Sequence, residues 1–324
     1  MKKISYSIIF IFGLIGINAI LSYLYIDIIM SKSRLMVSDK RFKNYDKQID
    51  MLLLGDSHIN TGINPKHLAI PSFNWAHQGT SYLQNYYKLK YYIEKKLKNK
   101  PKKVLIQFDL QSFRRAGIDR NDFYWVKYVD YFQVSKDRPF GSRYKIWIKY
   151  LKGRFIPYAG EKDTLFQWKT LRKRNYRINK WGFKSRGGQD FSKLPNRKRL
   201  KMAKKRVGKS LVKEKKQLIK PIAVKYFSLF LSLCEKHNIH VILLKSPLSK
   251  EYLQEAMKYV SIKDFYTSLD AIIKKHKHVT VLDYQTAYIN RNELFADQDH
   301  LNEKGSRILT KKINEEIKKL FKLP

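Results

Sequence analysis

The stretch Ile49-Asp50-Met51-Leu52-Leu53-Leu54-Gly55-Asp56-Ser57-His58 decides how the rest of the chain reads. Its short apolar run is the pattern of a buried strand that stops at Gly55. A serine placed directly after such a strand stands at the carboxyl edge of a sheet, where open α/β sheets bind their ligands. The amide of that serine can also help hold an oxyanion. Working outward, Ile70–Trp75 reads as a second strand, bounded by Pro71. Between Ser81 and Lys98 the residues Leu83, Tyr86, Tyr87, Leu89, Tyr91 and Ile93 suit an amphipathic helix, with Ser81 as its cap. Pro101 ends that helix, and Val104–Leu110 is the next strand. After an interruption the alternation resumes: helix over 219–238, strand over 239–244, helix over 262–275, strand over 278–282, helix over 302–320. Alternating strands and helices predict an α/β fold, a parallel sheet with helices on both faces.

The far end of this domain holds Asp297-Gln298-Asp299-His300-Leu301-Asn302, followed by Gly305 and the last helix. A histidine here can take the proton of Ser57, and a carboxylate three residues earlier can orient its ring and support the imidazolium. Asp299 competes with Asp297 for that role, and spacing favours Asp297. Each motif alone has a structural reading. Short Gly-Asp-Ser strings arise by chance, and acidic residues suit the first turn of a helix. Together they occupy the first and last strand ends of one alternating domain, a much rarer coincidence.

With these residues in hand, the sequence resembles the SGNH/GDSL hydrolase superfamily. Gly55-Asp56-Ser57 matches its first block, and Asp297 with His300 matches its Asp-x-x-His block. The resemblance implies a flavodoxin-like three-layer fold, Ser57 as nucleophile, His300 as general base and Asp297 as its orienting acid. It also implies an oxyanion hole from the amides of Ser57 and Gly79, the latter in the Phe73–Thr80 stretch that follows the second strand. The third block, Gly-x-Asn-Asp, has no match: the chain reads Ile106-Gln107-Phe108-Asp109-Leu110-Gln111-Ser112-Phe113 there. That departure, with an N-terminal membrane segment, is similar to the anchored branch that partners membrane-bound O-acyltransferases. The D-alanyl-lipoteichoic acid biosynthesis protein and the alginate O-acetylation proteins belong near this branch. Asp56, His58, His77 and Lys245, the last in a Lys245-Ser246-Pro247 turn after a strand, are expected to line the site. No metal or cofactor is expected.

The anchor itself is read from Ile4–Ile26, 23 residues without a charge between Lys3 and Asp27. At 1.5 Å per residue they make roughly 34 Å of helix, enough to cross a hydrocarbon core of about 30 Å. The stretch is longer than a signal-peptide core and no cleavage pattern follows it cleanly, so an uncleaved anchor is expected. The tail carries two lysines, against Lys32, Arg34, Lys40, Arg41, Lys43 and Lys47 after the span. A strict positive-inside count would keep the domain in the cytoplasm, whereas the family resemblance implies an extracytoplasmic domain.

Composition bounds the partner. Lys+Arg 67 against Asp+Glu 27 gives a net charge of +40, yet 44% of the 324 residues are hydrophobic and 14% aromatic, which excludes a disordered basic tail. Charge of this size points to a polyanion. The single cysteine, Cys234, excludes a disulfide framework and a cysteine-based zinc cluster.

The organisation expected is an anchor (1–30), a linker (31–48), a first part of the catalytic domain (49–113), a basic aromatic-rich insert (114–218) and a second part (219–324). Phe123–Phe183 holds 17 aromatics, and Lys169–Lys220 holds 21 Lys/Arg against Asp190 and Glu214. This insert is expected to lie away from the catalytic candidates, as a solvated face or a binding surface. The favoured function is a membrane-anchored serine esterase or O-acyltransferase acting on acyl esters of a cell-envelope glycan, with an anionic envelope polysaccharide or lipid surface as partner. A non-catalytic glycan-binding scaffold on a decayed fold is the alternative, and nucleic-acid binding is the least favoured.

Overall fold

The structure, a computed structural model, describes residues 2–95, 97, 99–115, 117–118, 122–159, 178–208, 211 and 219–323. Trp168, Glu214 and most of the basic run on either side of 178–208 lie outside the described residues. The strands are β1 (Met51–Leu53), β2 (Ser72–Asn74), β3 (Lys103–Gln107), β4 (His240–Lys245), β5 (Val279–Asp283), β6 (Phe295–Asp297) and β7 (His300–Leu301). The helices are α1 (Lys2–Leu24), α2 (Arg34–Lys43), α3 (Ser57–Gly62), α4 (Tyr82–Glu94), α5 (Asp122–Trp125), α6 (Tyr131–Lys136) and α7 (Arg143–Phe155). After these come α8 (Asn196–Val207), α9 (Pro221–Lys236), α10 (Lys250–Met257), α11 (Ile262–Ile273) and α12 (Glu303–Phe321).

Two compact units emerge, one from 1–40 with 118–176, the other from 41–117 with 177–324. The second is the α/β domain that the alternation predicts. Its five parallel strands run in the order β2-β1-β3-β4-β5, the flavodoxin-like order whose switch point lies between β1 and β3. Successive side chains of a strand point to opposite faces, and here both faces are covered. On one, Met51, Leu53, Leu105, Ile242 and Leu244 pack with Ile59 of α3 and with Leu309, Ile313 and Ile317 of α12. On the other, the Phe108 ring just past β3 stacks on Phe227 of α9, which also meets Tyr82 of α4. Burial on both faces explains why β1, β3 and β4 read as continuous apolar runs rather than alternating ones.

Local signals set the boundaries. Ser81 and Gln84 form a reciprocal capping box at the start of α4. Pro221 opens α9, where its missing N–H costs nothing. β3 ends at Gln107, short of the expected Leu110, because the chain turns into the Asp109–Ser112 hydrogen bonds beyond it. The antiparallel β6–β7 pair was not expected, since strands of three and two residues carry no periodic signal.

Part of the segment expected as a separate basic insert belongs to this domain. Ile178–Lys184 forms a tight bridge, and Trp181 O accepts the Asn74 amide at 2.8 Å, covering the open edge of β2. Phe191 is fully buried in the β-sheet core.

The first unit holds α1, α5, α6 and α7. Asp39 on α2 is buried there under the hydroxyls of Tyr124 and Tyr128 at 2.8 and 2.6 Å, and Lys127 pairs with it. Among the described residues, one helical stretch, Tyr6–Lys32, is long and apolar enough to cross a membrane, with mean hydropathy 2.1 and its most apolar 18-residue window unburied, while Tyr25 and Met30 toward its end are buried.

Candidate active site

Every group of the site belongs to the α/β unit. Gly55 has φ +132°, and a Cβ there would stand 1.8 Å from Gln107 Oε1, so only glycine fits the turn after β1. Gln107 Oε1 accepts the Asp56 amide at 3.0 Å, and the Asp56 carboxylate caps α3 by accepting from His58 N at 2.9 Å. Ser57 is thereby fixed as the first residue of α3, at the carboxyl edge of the sheet.

The β6–β7 pair delivers the other half. Asp297 and His300 are cross-strand partners, so one short hairpin fixes both side chains together. His300 Nε2 lies 2.8 Å from Ser57 Oγ, and Nδ1 lies 2.8 and 3.1 Å from the two oxygens of Asp297. With Nδ1 protonated toward Asp297, Nε2 accepts the serine proton. Asp299 Oδ1 stands 3.2 Å from the same Nδ1. The residues 243 apart in sequence therefore meet, and both candidate carboxylates face the ring.

His58 sits beside this line, its ring 5.1 Å from that of His300. It does not reach Ser57 as a base would. Its Nδ1 meets Asp109 Oδ2 at 3.0 Å and Asp56 Oδ1 at 3.4 Å, and its Nε2 lies 3.7 Å from Asp299 Oδ2. Burial alone would push the His58 pKa down, but the carboxylates of Asp56, Asp109 and Asp299 outweigh it and raise it well above the ordinary value. In the same way burial opposes the charges of Asp56 and Asp299. The basic groups around them win: His58 and Arg115 for Asp56, and the His300 and His58 rings with Arg206 for Asp299. Both carboxyls are held below their usual range.

Those arginines were not foreseen, and all three, Arg115, Arg186 and Arg206, lie within 114–218 and correct an expectation. The basic insert does not lie apart from the site. Arg186 Nη1 donates to Asp297 Oδ2 at 2.9 Å, and Arg206 Nε donates to Asp299 Oδ2 at 2.7 Å. Arg206 also bonds Gln111 Oε1 at 3.0 Å, and Gln111 returns a bond to Asp299 at 3.0 Å. Arg115 Nη1 reaches Asp56 Oδ2 at 2.8 Å. Four buried or half-buried carboxylates in a chain with so few acids were the available signal, because each needs a cation.

The remaining candidates divide. Gly79 has φ +85° in the turn His77–Thr80, which folds back so that His77 N and Thr80 Oγ1 both donate to Gly55 O. His77 is buried beside the motif. Lys245 is not brought to the cluster: its Nζ pairs with Asp283 at 2.9 Å and lies 3.8 Å over the Tyr266 ring. Its neighbour Ser246 lines the pocket instead. That pocket, about 240 Å³ including open solvent, is bounded by His58, Asp109, Leu110, Gln111, Ser246, Leu248 and Tyr252. After β3, Asp109 accepts from Ser112 and His58. Asp56-His58-Asp109 and His58-Asp299-His300 bring ligand-type atoms within 4.8 Å of one another. A metal there would compete with Arg115, Arg206 and the His58 proton.

Among comparisons with known proteins, a family model whose description assigns no function matches residues 161–322, and the chain belongs to the family it defines. No curated protein matches the sequence. A solved structure from Streptococcus pneumonia, of a protein provisionally described as a platelet activating factor, is 10% identical with a TM-score of 0.41. That match covers 92% of this chain and 99% of the other.

Proposed function

We propose that this chain is a membrane-anchored serine esterase or O-acyltransferase of the SGNH type, acting on acyl esters of an anionic cell-envelope glycan. One observation carries the reading: the unbroken hydrogen-bond line from Ser57 Oγ through His300 to Asp297, at 2.8 Å for each link. Ser57 attacks the ester carbonyl as its proton passes to His300 Nε2, and Asp297 stabilises the imidazolium. The amides of Ser57 and Gly79 receive the oxyanion, worth about 3 kcal/mol per donor. The tetrahedral intermediate collapses, the leaving alcohol takes the His300 proton, and an acyl-Ser57 ester remains. Water, or a sugar hydroxyl in the transfer reaction, then attacks that ester with His300 again as base.

A fluorophosphonate probe tests the nucleophile. The wild-type chain labels at Ser57, and Ser57→Ala, with unfolding behaviour unchanged, loses labelling entirely. Labelling retained in Ser57→Ala would overturn the assignment. A second reading, a glycan-binding scaffold without turnover, is favoured by Asp109. A carboxylate after β3 only accepts hydrogen bonds and repels an oxyanion. It prevails if the wild-type serine fails to label.

The apolar stretch Tyr6–Lys32 serves as the anchor in this reading, with the catalytic domain outside the cytoplasm and a membrane-bound O-acyltransferase as the acyl donor's source. A C-terminal reporter active only outside the cytoplasm checks the orientation, and activity of a cytoplasm-only reporter would reverse it.

A further inference from the structure

Helix α7, in the same unit as α1, leaves an apolar stripe in the open. Tyr144, Trp147, Ile148, Leu151 and Phe155 follow the spacing of one helical face. All five are exposed, Tyr144 by 55% and Phe155 by 56%, and Phe140 just before the helix is 83% exposed. Ile146 and Gly153 are the buried positions of the helix. A contiguous aromatic and aliphatic stripe of this kind marks an interaction surface.

Charge says what it meets. Between Arg138 and Ala159 there are six basic residues and no acid. Three cations of this unit lie along aromatic rings: Lys136 Nζ 4.1 Å from the Phe132 centroid, Arg143 5.5 Å from Phe140, and Lys145 5.8 Å from Tyr144. Cationic heads set beside exposed aromatic rings suit the boundary between acyl chains and anionic headgroups.

The end of the helix gives a second, separate observation. Asn18 is a polar residue inside the apolar stretch, eight residues before Ile26. Its Nδ2 donates to Phe155 O at 3.0 Å, and its Oδ1 accepts the Tyr158 hydroxyl at 2.8 Å. The carbonyl of Phe155 is one of those a helix end leaves without an intrahelical partner. In hydrocarbon such a group has to be satisfied from within the protein, and a residue of the membrane-spanning candidate does so.

We infer that α7 is a second membrane contact, an amphipathic helix lying obliquely in the leaflet crossed by the C-terminal half of α1. Its Tyr144–Phe155 stripe meets acyl chains, and Arg143 and Lys145 meet anionic headgroups. This rests on α1 being the anchor, so the test reports on the two separately. The full chain is reconstituted into vesicles of phosphatidylcholine and phosphatidylglycerol, with an environment-sensitive fluorophore on one introduced cysteine at a time. Cys234 is buried and burial pushes its thiol pKa up, so it does not take the label. The variants are Ile15→Cys for α1, Ile148→Cys and Leu151→Cys for α7, and Leu320→Cys for an exposed site on α12.

The expected result is quenching of the labels at 148 and 151 by shallow doxyl-lipid and not by iodide, with 15 quenched by deep doxyl-lipid and 320 by iodide. If 15 reports lipid while 148 and 151 are quenched by iodide, the anchor stands and the α7 contact is overturned. If 148 and 151 are shielded from both quenchers, the stripe is covered by protein, a second copy or another chain, and the lipid contact is again overturned. Lipid quenching at 148 and 151 without it at 15 removes the anchor and overturns the inference that α7 is a second contact in the leaflet α1 crosses. Iodide quenching at all three removes both.

Discussion

Two carboxylates face one ring nitrogen of His300, and their surroundings assign them different work. Asp297 offers both oxygens to Nδ1, is partly exposed, and is balanced by Arg186. Asp299 is fully buried and binds Arg206, Gln111 and Gln298. Asp297→Asn removes the acceptor that fixes the His300 tautomer, so turnover of an acyl ester falls by about 10⁴-fold with little loss of stability. Asp299→Asn has the opposite profile. It leaves the charges of Arg206 and His58 facing a neutral amide, at a cost of about 3 kcal/mol. Urea unfolding beside steady-state kinetics separates the two. Loss of turnover at intact stability in Asp299→Asn, with Asp297→Asn active, would exchange the roles.

At the scale of elements, the bridge Ile178–Lys184 holds the rim of the sheet. Gly182 has φ +82°, and a Cβ would meet Asn74 O at 2.1 Å and the Phe73 ring at 2.8 Å. Gly182→Ala combines a strained backbone with a clash against β2, and thermal unfolding should show a loss of about 2 kcal/mol or more. No such cost attends Gly188→Ala, where a Cβ meets nothing within 4 Å. The sequence made β1, β3, β4 and the long helices legible, because burial on both faces writes continuous apolar runs and Ser81 announces its helix. It did not make β6–β7 legible, since so few residues carry no period. Nor did it show the Arg186–Asp297 and Arg206–Asp299 pairs. They join positions 111 and 93 residues apart, and in a segment crowded with Lys and Arg no single cation stands out. Ser57, Asp297 and His300 could be paired in advance because a serine after the first strand and an Asp-x-x-His string before the last helix are chemically complementary and stand at the two ends of one alternating domain.

Across the whole molecule the surplus of +40 coexists with a locally balanced site. Asp56, Asp109, Asp297 and Asp299 are met by Arg115, Arg186, Arg206 and a protonated His58. Among these partners the buried imidazole of His58 has its pKa raised by the carboxylates around it, which makes the balance of the site depend on pH. Its pKa in the folded chain is above the unfolded value of about 6.5. Between those two values the folded chain binds the extra proton. The stabilisation is therefore complete below about pH 6.5 and is lost as pH rises through the folded pKa. Asp56 and Asp299 supply the other limb. Their folded pKa values lie below the unfolded carboxylate value, so their contribution is complete above about pH 4 and is lost in stronger acid. Thermal unfolding followed by circular dichroism should give a plateau in mild acid and a falling Tm toward alkaline pH. His58→Gln should lower the plateau, because Asp56, Asp109 and Asp299 lose a shared cation, and should flatten the alkaline fall. A wild-type Tm as high at about pH 9 as at about pH 6 would show that no buried imidazolium holds these carboxylates together.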